Sequence, residues 1–83
     1  MSDGKIVQKV VRYIVSEIVE DPKSIKVDLI KGDDNSVTVE VRTAAQDMGR
    51  VIGKRGRVAR AIRTVAQAAA DEEGLSSSVE FID

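Results

Sequence analysis

The sequence has no cysteine, no histidine and no tryptophan, and its 83 residues include one proline, one tyrosine and one phenylalanine. Lack of cysteine removes disulfides and thiolate chemistry. Without histidine as well, zinc sites of the usual kind and imidazole acid–base catalysis are excluded. So few aromatics leave little for a surface that works by stacking bases on rings. No apolar run approaches the ~18 residues of a membrane span, and the first residues, Met1 to Lys5, carry no signal-type apolar stretch. A cytoplasmic protein with no membrane contact, cofactor or metal is therefore expected. A strong net charge is missing too: 13 basic residues stand against 14 acidic ones, for a net charge of −1. Indiscriminate polyanion binding is excluded, so any affinity for nucleic acid must come from a local patch.

What is present is an ordinary globular composition, 42% apolar and 33% charged. A chain of this length forms one small domain that buries about 60% of its unfolded surface. From Lys5 to Glu20 apolar residues recur at helical spacing, with Ile6, Val10, Ile14 and Ile18 as the central line and Val7, Val11 and Val15 at its edge. Ser2 or Asp3 is expected to cap this helix (residues 3–20), and Asp21-Pro22 to end it. Ile25, Val27 and Leu29 alternate with charged residues, as do Val37, Val39 and Val41 with polar ones. Around the turn cluster Gly32 to Asn35 they predict an antiparallel hairpin over 25–42. A short helix starting at Thr43 or Asp47 should break at Gly53. A long one should run from about Arg57 to Glu73, with Val58, Ala61, Ile62, Val65, Ala66 and Ala69 as its apolar face and Gly74 as its C-terminal cap. A last strand is expected over 77–82, with Val79 and Phe81 facing the core.

The order is thus α-β-β-α-α-β, an α+β fold. The connection between the second and third strands contains two helices, so those strands should be parallel, giving a three-stranded mixed sheet with all three helices on one face. Lys26, Asp28, Ile30, Thr38, Glu40, Arg42, Glu80 and Ile82 would populate the solvated face.

The positive charge is concentrated. The window Arg50 to Arg63 holds six basic residues and no acidic one. Inside it, Gly53 and Gly56 bracket Lys54 and Arg55 just before a helix. Glycines adopt positive φ cheaply and carry no Cβ to keep a sugar-phosphate chain away, and a helix N-terminus favours an anion. This turn is expected to grip the phosphates of single-stranded RNA. A P-loop is one residue short in spacing, lacks the Ser or Thr after the lysine and has no preceding strand, and no nucleophile–base pair of the usual kind can be assembled; catalysis is not expected.

Val51-Ile52-Gly53-Lys54-Arg55-Gly56, set between two helices, resembles the signature of the KH domain, and the element order resembles its type II, bacterial form. The stretch Asp47 to Arg57 is most similar to the small stand-alone bacterial KH proteins, the KhpA family, and the likeness covers essentially the whole chain. The resemblance implies a GXXG loop, Gly53 to Gly56, that clamps about four nucleotides. It implies that Val51, Ile52 and Val58 line or support an apolar groove for bases, and that Gly74 to Ser78 form a variable loop opposite. Arg50 and Arg57 flank the loop and Arg60 follows it, so all three are candidates for phosphate contact; Arg63 is expected in solvent or against a partner. Many KH domains have a branched aliphatic side chain where this one has Ala59, which bears on base selectivity. The resemblance also implies a global RNA binder or RNA chaperone linked to cell elongation and division. Self-association, or pairing with a larger KH-containing RNA-binding protein, is implied as well. The competing expectation is a protein-interaction or dimerisation module with little RNA affinity of its own.

Overall fold

The computed structural model describes residues 3–83. Helix α1 (Lys5–Ile18) leads through a single 3₁₀ turn at Pro22–Ser24 into strand β1 (Lys26–Lys31). Strand β2 (Ser36–Arg42), helix α2 (Ala45–Ile52), helix α3 (Arg57–Glu72) and strand β3 (Ser76–Phe81) follow. The sheet order is β1-β2-β3. β2 lies antiparallel to β1, with Leu29 opposite Val39, and parallel to β3, with Val39 opposite Val79. The fold is α+β, a mixed sheet with three helices, in the order read from the sequence.

The hairpin turn has positive φ at both Asp34 and Asn35, and the Ser36 N–H donates to the Asp33 carbonyl at 3.1 Å. Positive φ at both central residues is what a type I′ turn demands, and Asp and Asn tolerate it better than most side chains. At its other end the sheet's outer face is tied by Arg42, which lies 3.3 Å from Asp28 and 3.7 Å from Glu40.

Three local expectations are corrected. On α1 the fully buried line is Val7, Val11 and Val15, while Ile6 is 56% exposed. The apolar stripe spans two adjacent lines, so its period cannot say which is centred on the sheet. The shorter valines sit against the strands, and Ile14 and Ile18 turn toward α3. On α3 the buried line is Ala59, Ile62, Ala66 and Ala70, which leaves Val65 44% exposed. Alanines with almost no side chain let this helix lie close on the sheet. The caps differ in part. Gly4, at φ 87, precedes α1, and Asp3 Oδ1 accepts the Lys5 N–H at 3.0 Å; Ser2 lies outside the described residues. That N–H, more than the nearby Lys5 charge, holds the Asp3 carboxyl below the usual carboxylate range. Ala44 precedes α2 without any side-chain cap.

At the end of α3 the Leu75 N–H donates to the Ala70 carbonyl at 2.9 Å and Gly74 takes φ 73, a Schellman-type stop. Ser76, Ser77 and Ser78 already belong to β3, so the connection opposite the glycine turn is Glu73 to Leu75 rather than Gly74 to Ser78. A serine run looks like loop in a sequence, and here parallel pairing with β2 makes it strand.

Candidate nucleic-acid interface

α2 ends because Gly53 leaves the helix at φ 76, ψ 170, a region open essentially to glycine alone. The chain then makes a tight turn. Arg55 is left-handed at φ 57, ψ 25, Gly56 follows at φ 72, ψ 17, and the Gly56 N–H closes onto the Gly53 carbonyl at 3.0 Å. The Arg57 N–H donates to the Lys54 carbonyl, and α3 begins. Nothing lies within 4 Å of where a Cβ on Gly56 would be, so its face of the turn is open. Arg60, one turn into α3, reaches back and donates from its guanidinium to the Arg55 carbonyl at 3.1 Å, bracing the turn from the helix side.

Lys54, Arg55, Arg57 and Arg60 are all exposed, and none takes part in a salt bridge among the described residues. Their field is therefore uncancelled locally. Arg50 is different. Its guanidinium lies 3.4 Å from Glu20 and 3.8 Å from Asp47, on the α1 side of α2. Asp47 is fully buried, and its two carboxylate oxygens accept the N–H groups of Glu20 and Asp21, each at 3.0 Å. Expected as a helix start, Asp47 instead pins α2 to the chain leaving α1, and so fixes the helix from which the glycine turn emerges. An isolated acidic residue at the start of a helix gives no sequence sign of partners so distant along the chain.

Of the expected groove residues, Val51 is fully buried in the core and can only support the surface from beneath. Ile52 is 37% exposed, and half-buried Val58 packs against Gly53. Val58 also lines a largely apolar cleft of about 300 Å³ between α1 and α3, with Ile14, Ile18, Arg57, Ala61, Ile62 and Val65 as its other walls. Ala59 is buried on the sheet side of α3.

Two polar side chains are fixed on the far side of α3, one of them Arg63, which the sequence placed in solvent or against a partner. Arg63 Nε donates to the Val79 carbonyl at 3.1 Å, and its guanidinium carbon stands 5.3 Å from the centroid of the Phe81 ring. Gln67 Oε1 accepts the Ser77 N–H at 2.9 Å. The helical spacing of Arg60, Arg63 and Gln67 does show one polar face; that the face meets the edge of β3 is not written in it.

A strand–helix–glycine turn–helix–strand unit with this topology and an uncancelled basic turn invites comparison with known sequences. Residues 8–81 match the family described as KhpA/KhpB, KH domain. The chain belongs to the KhpA/KhpB KH-domain family. It is 40% identical over 75 residues to the RNA-binding protein KhpA of Clostridium perfringens, covering 90% of this chain and 99% of that protein. It is 42% identical over 74 residues to the RNA-binding protein KhpA of Caldanaerobacter subterraneus subsp. tengcongensis, covering 89% and 97% respectively. Among solved structures, a crystal structure of Era in complex with MgGDPNP and nucleotides 1506–1542 of 16S ribosomal RNA shares the fold. The TM-score is 0.66 at 21% identity, over 98% of this chain and 30% of the Era chain. The family is a KH-domain family, and these curated relatives carry the name RNA-binding protein.

Proposed function

We propose that this chain binds short stretches of single-stranded RNA, with the Gly53–Gly56 turn holding the backbone phosphates. The observation that carries the reading is the turn itself: a tight bend between two positive-φ glycines, with two exposed cations that no carboxylate pairs among the described residues, at a place where Gly56 presents no side chain. Phosphate oxygens accept from the Lys54 and Arg55 N–H groups and side chains, and Arg57 extends the positive track. Arg60 acts mainly as the brace on the Arg55 carbonyl. Arg50 contributes only to the extent that RNA competes with Glu20 and Asp47 for it. The relatives' name, RNA-binding protein KhpA, and the general use of the KH loop to clamp about four nucleotides favour the same ligand. With one tyrosine and one phenylalanine in the whole chain to stack bases, affinity per chain is modest and sequence discrimination low. The role that fits is a general RNA binder or RNA chaperone of the cytoplasm, linked to cell elongation and division.

Fluorescence anisotropy of a labelled mixed-sequence RNA, at two salt concentrations, tests this. Wild type should bind with salt-dependent affinity. Lys54→Asp/Arg55→Asp should lose binding while circular dichroism stays unchanged, since neither side chain is buried. Equal affinity in the folded double mutant would remove the turn from the interface.

A second reading is favoured by the cleft between α1 and α3. Ile14, Ile18, Val58, Ala61 and Val65 leave an apolar surface beside the basic turn. It fits association with a second copy, or with a larger KH-containing protein, and two linked turns would raise avidity without new RNA contacts. Sedimentation of wild type against Val65→Glu tests it: a wild-type monomer at high concentration argues against the second copy.

A further inference from the structure

The sheet has two outer strands, and they are not equally covered. β3 is screened by α3: Gln67 accepts the Ser77 N–H at 2.9 Å, and Arg63 donates to the Val79 carbonyl at 3.1 Å. β1 closes the other side of the sheet. The Gly32 N–H bonds to the Ser36 carbonyl across the hairpin, so by strand alternation residues 26, 28 and 30 turn their N–H and C=O groups to β2. The groups of Val27, Leu29 and Lys31 therefore point away from the sheet. Gln8 Nε2 donates to the Val27 carbonyl at 2.9 Å, in keeping with that direction. Leu29 and Lys31, nearer the hairpin, face outward at an edge with no strand beyond it. Between them, on the polar face of the sheet, Ile30 is 46% exposed.

We infer that this edge is an interface for a second copy of the chain, whose β1 pairs antiparallel with β1 about a two-fold axis at Ile30. Neither the glycine turn nor the cleft between α1 and α3 supplies a residue to it, so this association needs neither RNA on the turn nor an occupant in that cleft. Other positions of the axis fail. Opposed residues must share a face of the sheet, so a two-fold pairing centres on one residue. Centred on Asp28 it sets two carboxylates against each other, and centred on Lys31 two ammonium groups. Centred on Leu29 it opposes Val27 to Lys31 and needs the Val27 carbonyl that Gln8 holds. Centred on Ile30 it pairs Leu29 with Lys31 of the second copy, and Lys31 with Leu29. Each of those pairs exchanges both backbone hydrogen bonds.

The side chains agree with this register. Ile30 meets its own copy, which takes both exposed apolar side chains out of water together. Lys26 comes opposite Asp34 in the hairpin turn; both are exposed, and neither takes part in a salt bridge among the described residues. Lysines at both ends of β1 disfavour a strand that brings no acid to them, and the two-fold supplies the aspartate at each end of the pair. Gly4 stands over Leu29 and the β2 residue Val37, so the first turn of α1 lies inward of the edge and leaves room for its symmetry mate. The patch is self-complementary, as a closed two-fold contact requires.

The chain has no cysteine, which makes crosslinking a clean test. Opposed residues of an antiparallel pair that do not bond each other stand about 4.5 Å apart at Cα, within the span of a disulfide. The Val65→Glu protein serves as background, so that association through the cleft is removed, and circular dichroism confirms folding. In that background Ile30→Cys should form a disulfide-linked dimer under mild oxidation. It should do so about tenfold faster or more than Lys26→Cys, whose sulfurs the register holds far apart, because pairing raises the local concentration of the thiols. Sedimentation should find the Val65→Glu protein dimeric at high concentration and Val65→Glu/Ile30→Lys monomeric, since two ammonium groups then face each other. Lys31→Pro, which removes an edge-facing N–H, should act in the same direction while the fold persists. A Val65→Glu protein that stays monomeric, or equal crosslinking at positions 30 and 26, overturns the pairing and leaves the edge to a strand of another protein or to solvent.

Discussion

Val58 occupies the space that a side chain on Gly53 would need. A Cβ at position 53 would stand 2.8 Å from the Val58 Cβ and 2.9 Å from its backbone nitrogen. Neither atom can move away like the end of a flexible side chain, because Val58 opens α3. The two glycines of the turn are thus unequal: Gly53 is required by contact and conformation together, Gly56 by conformation alone.

Gly53→Ala should accordingly cost about 1–3 kcal/mol, the scale of a residue forced into a sparsely populated backbone region. The melting temperature should fall by about 4–8 °C per kcal/mol in a chain of this size. RNA affinity should fall with it, because α2 and α3 can no longer meet at the same angle. Gly56→Asn should stay within about 1 kcal/mol of wild type, since asparagine tolerates the left-handed region. Thermal melts followed by circular dichroism rank the two; an unaffected Gly53→Ala protein would show that the turn can relax.

Asp47 satisfies two N–H groups from inside the fold. Asp47→Ala leaves both without an acceptor and should destabilise by about 2 kcal/mol or more, as each buried unsatisfied group costs about 1–3 kcal/mol. Asp47→Asn keeps one carbonyl acceptor and should lose less. Urea unfolding of the three proteins measures the order, and equal midpoints would mean that the Glu20 and Asp21 N–H groups find water instead.

The neighbours Val51 and Ile52 should respond in opposite ways to a charge. Val51→Asp buries a carboxylate with no partner and should unfold the chain at ordinary temperature. Ile52→Asp places it at a site already 37% exposed, so the protein should fold and lose RNA affinity by repulsion of phosphate. Circular dichroism decides the first point and anisotropy the second.

Among the arginines, Arg57→Ala should reduce RNA affinity and the salt slope, since each phosphate contact on a single strand contributes about 0.7 to that slope. Arg50→Ala should change both less, because its guanidinium already sits with Glu20 and Asp47. Arg60→Ala should weaken binding without altering the melting temperature, by freeing the Arg55 carbonyl. Titrations at several salt concentrations separate these outcomes; an Arg50 effect equal to that of Arg57 would place Arg50 on the RNA.

Local chemistry fixed a good deal of this protein in advance. Alternating apolar residues in β1 and β2 and a break at Gly53 are properties of neighbouring residues, so element order and the basic glycine turn are legible without coordinates, although α1 already ends at Ile18, short of Asp21-Pro22. Which line of α1 or α3 meets the sheet is not, because both apolar stripes are wider than the contact they make. Packing chose Val7, Val11 and Val15 over Ile6, and Ala59 and Ala66 over Val65, and thereby left an apolar cleft in the open. Tertiary structure alone also joined Asp47 to Glu20 and Asp21, and Arg63 to Val79. Those partners lie 16 to 27 residues apart along the chain, and no periodicity reaches that far. Only the closing of α2 on α1, and of α3 on β3, brings a side chain to a backbone group it could not have met locally.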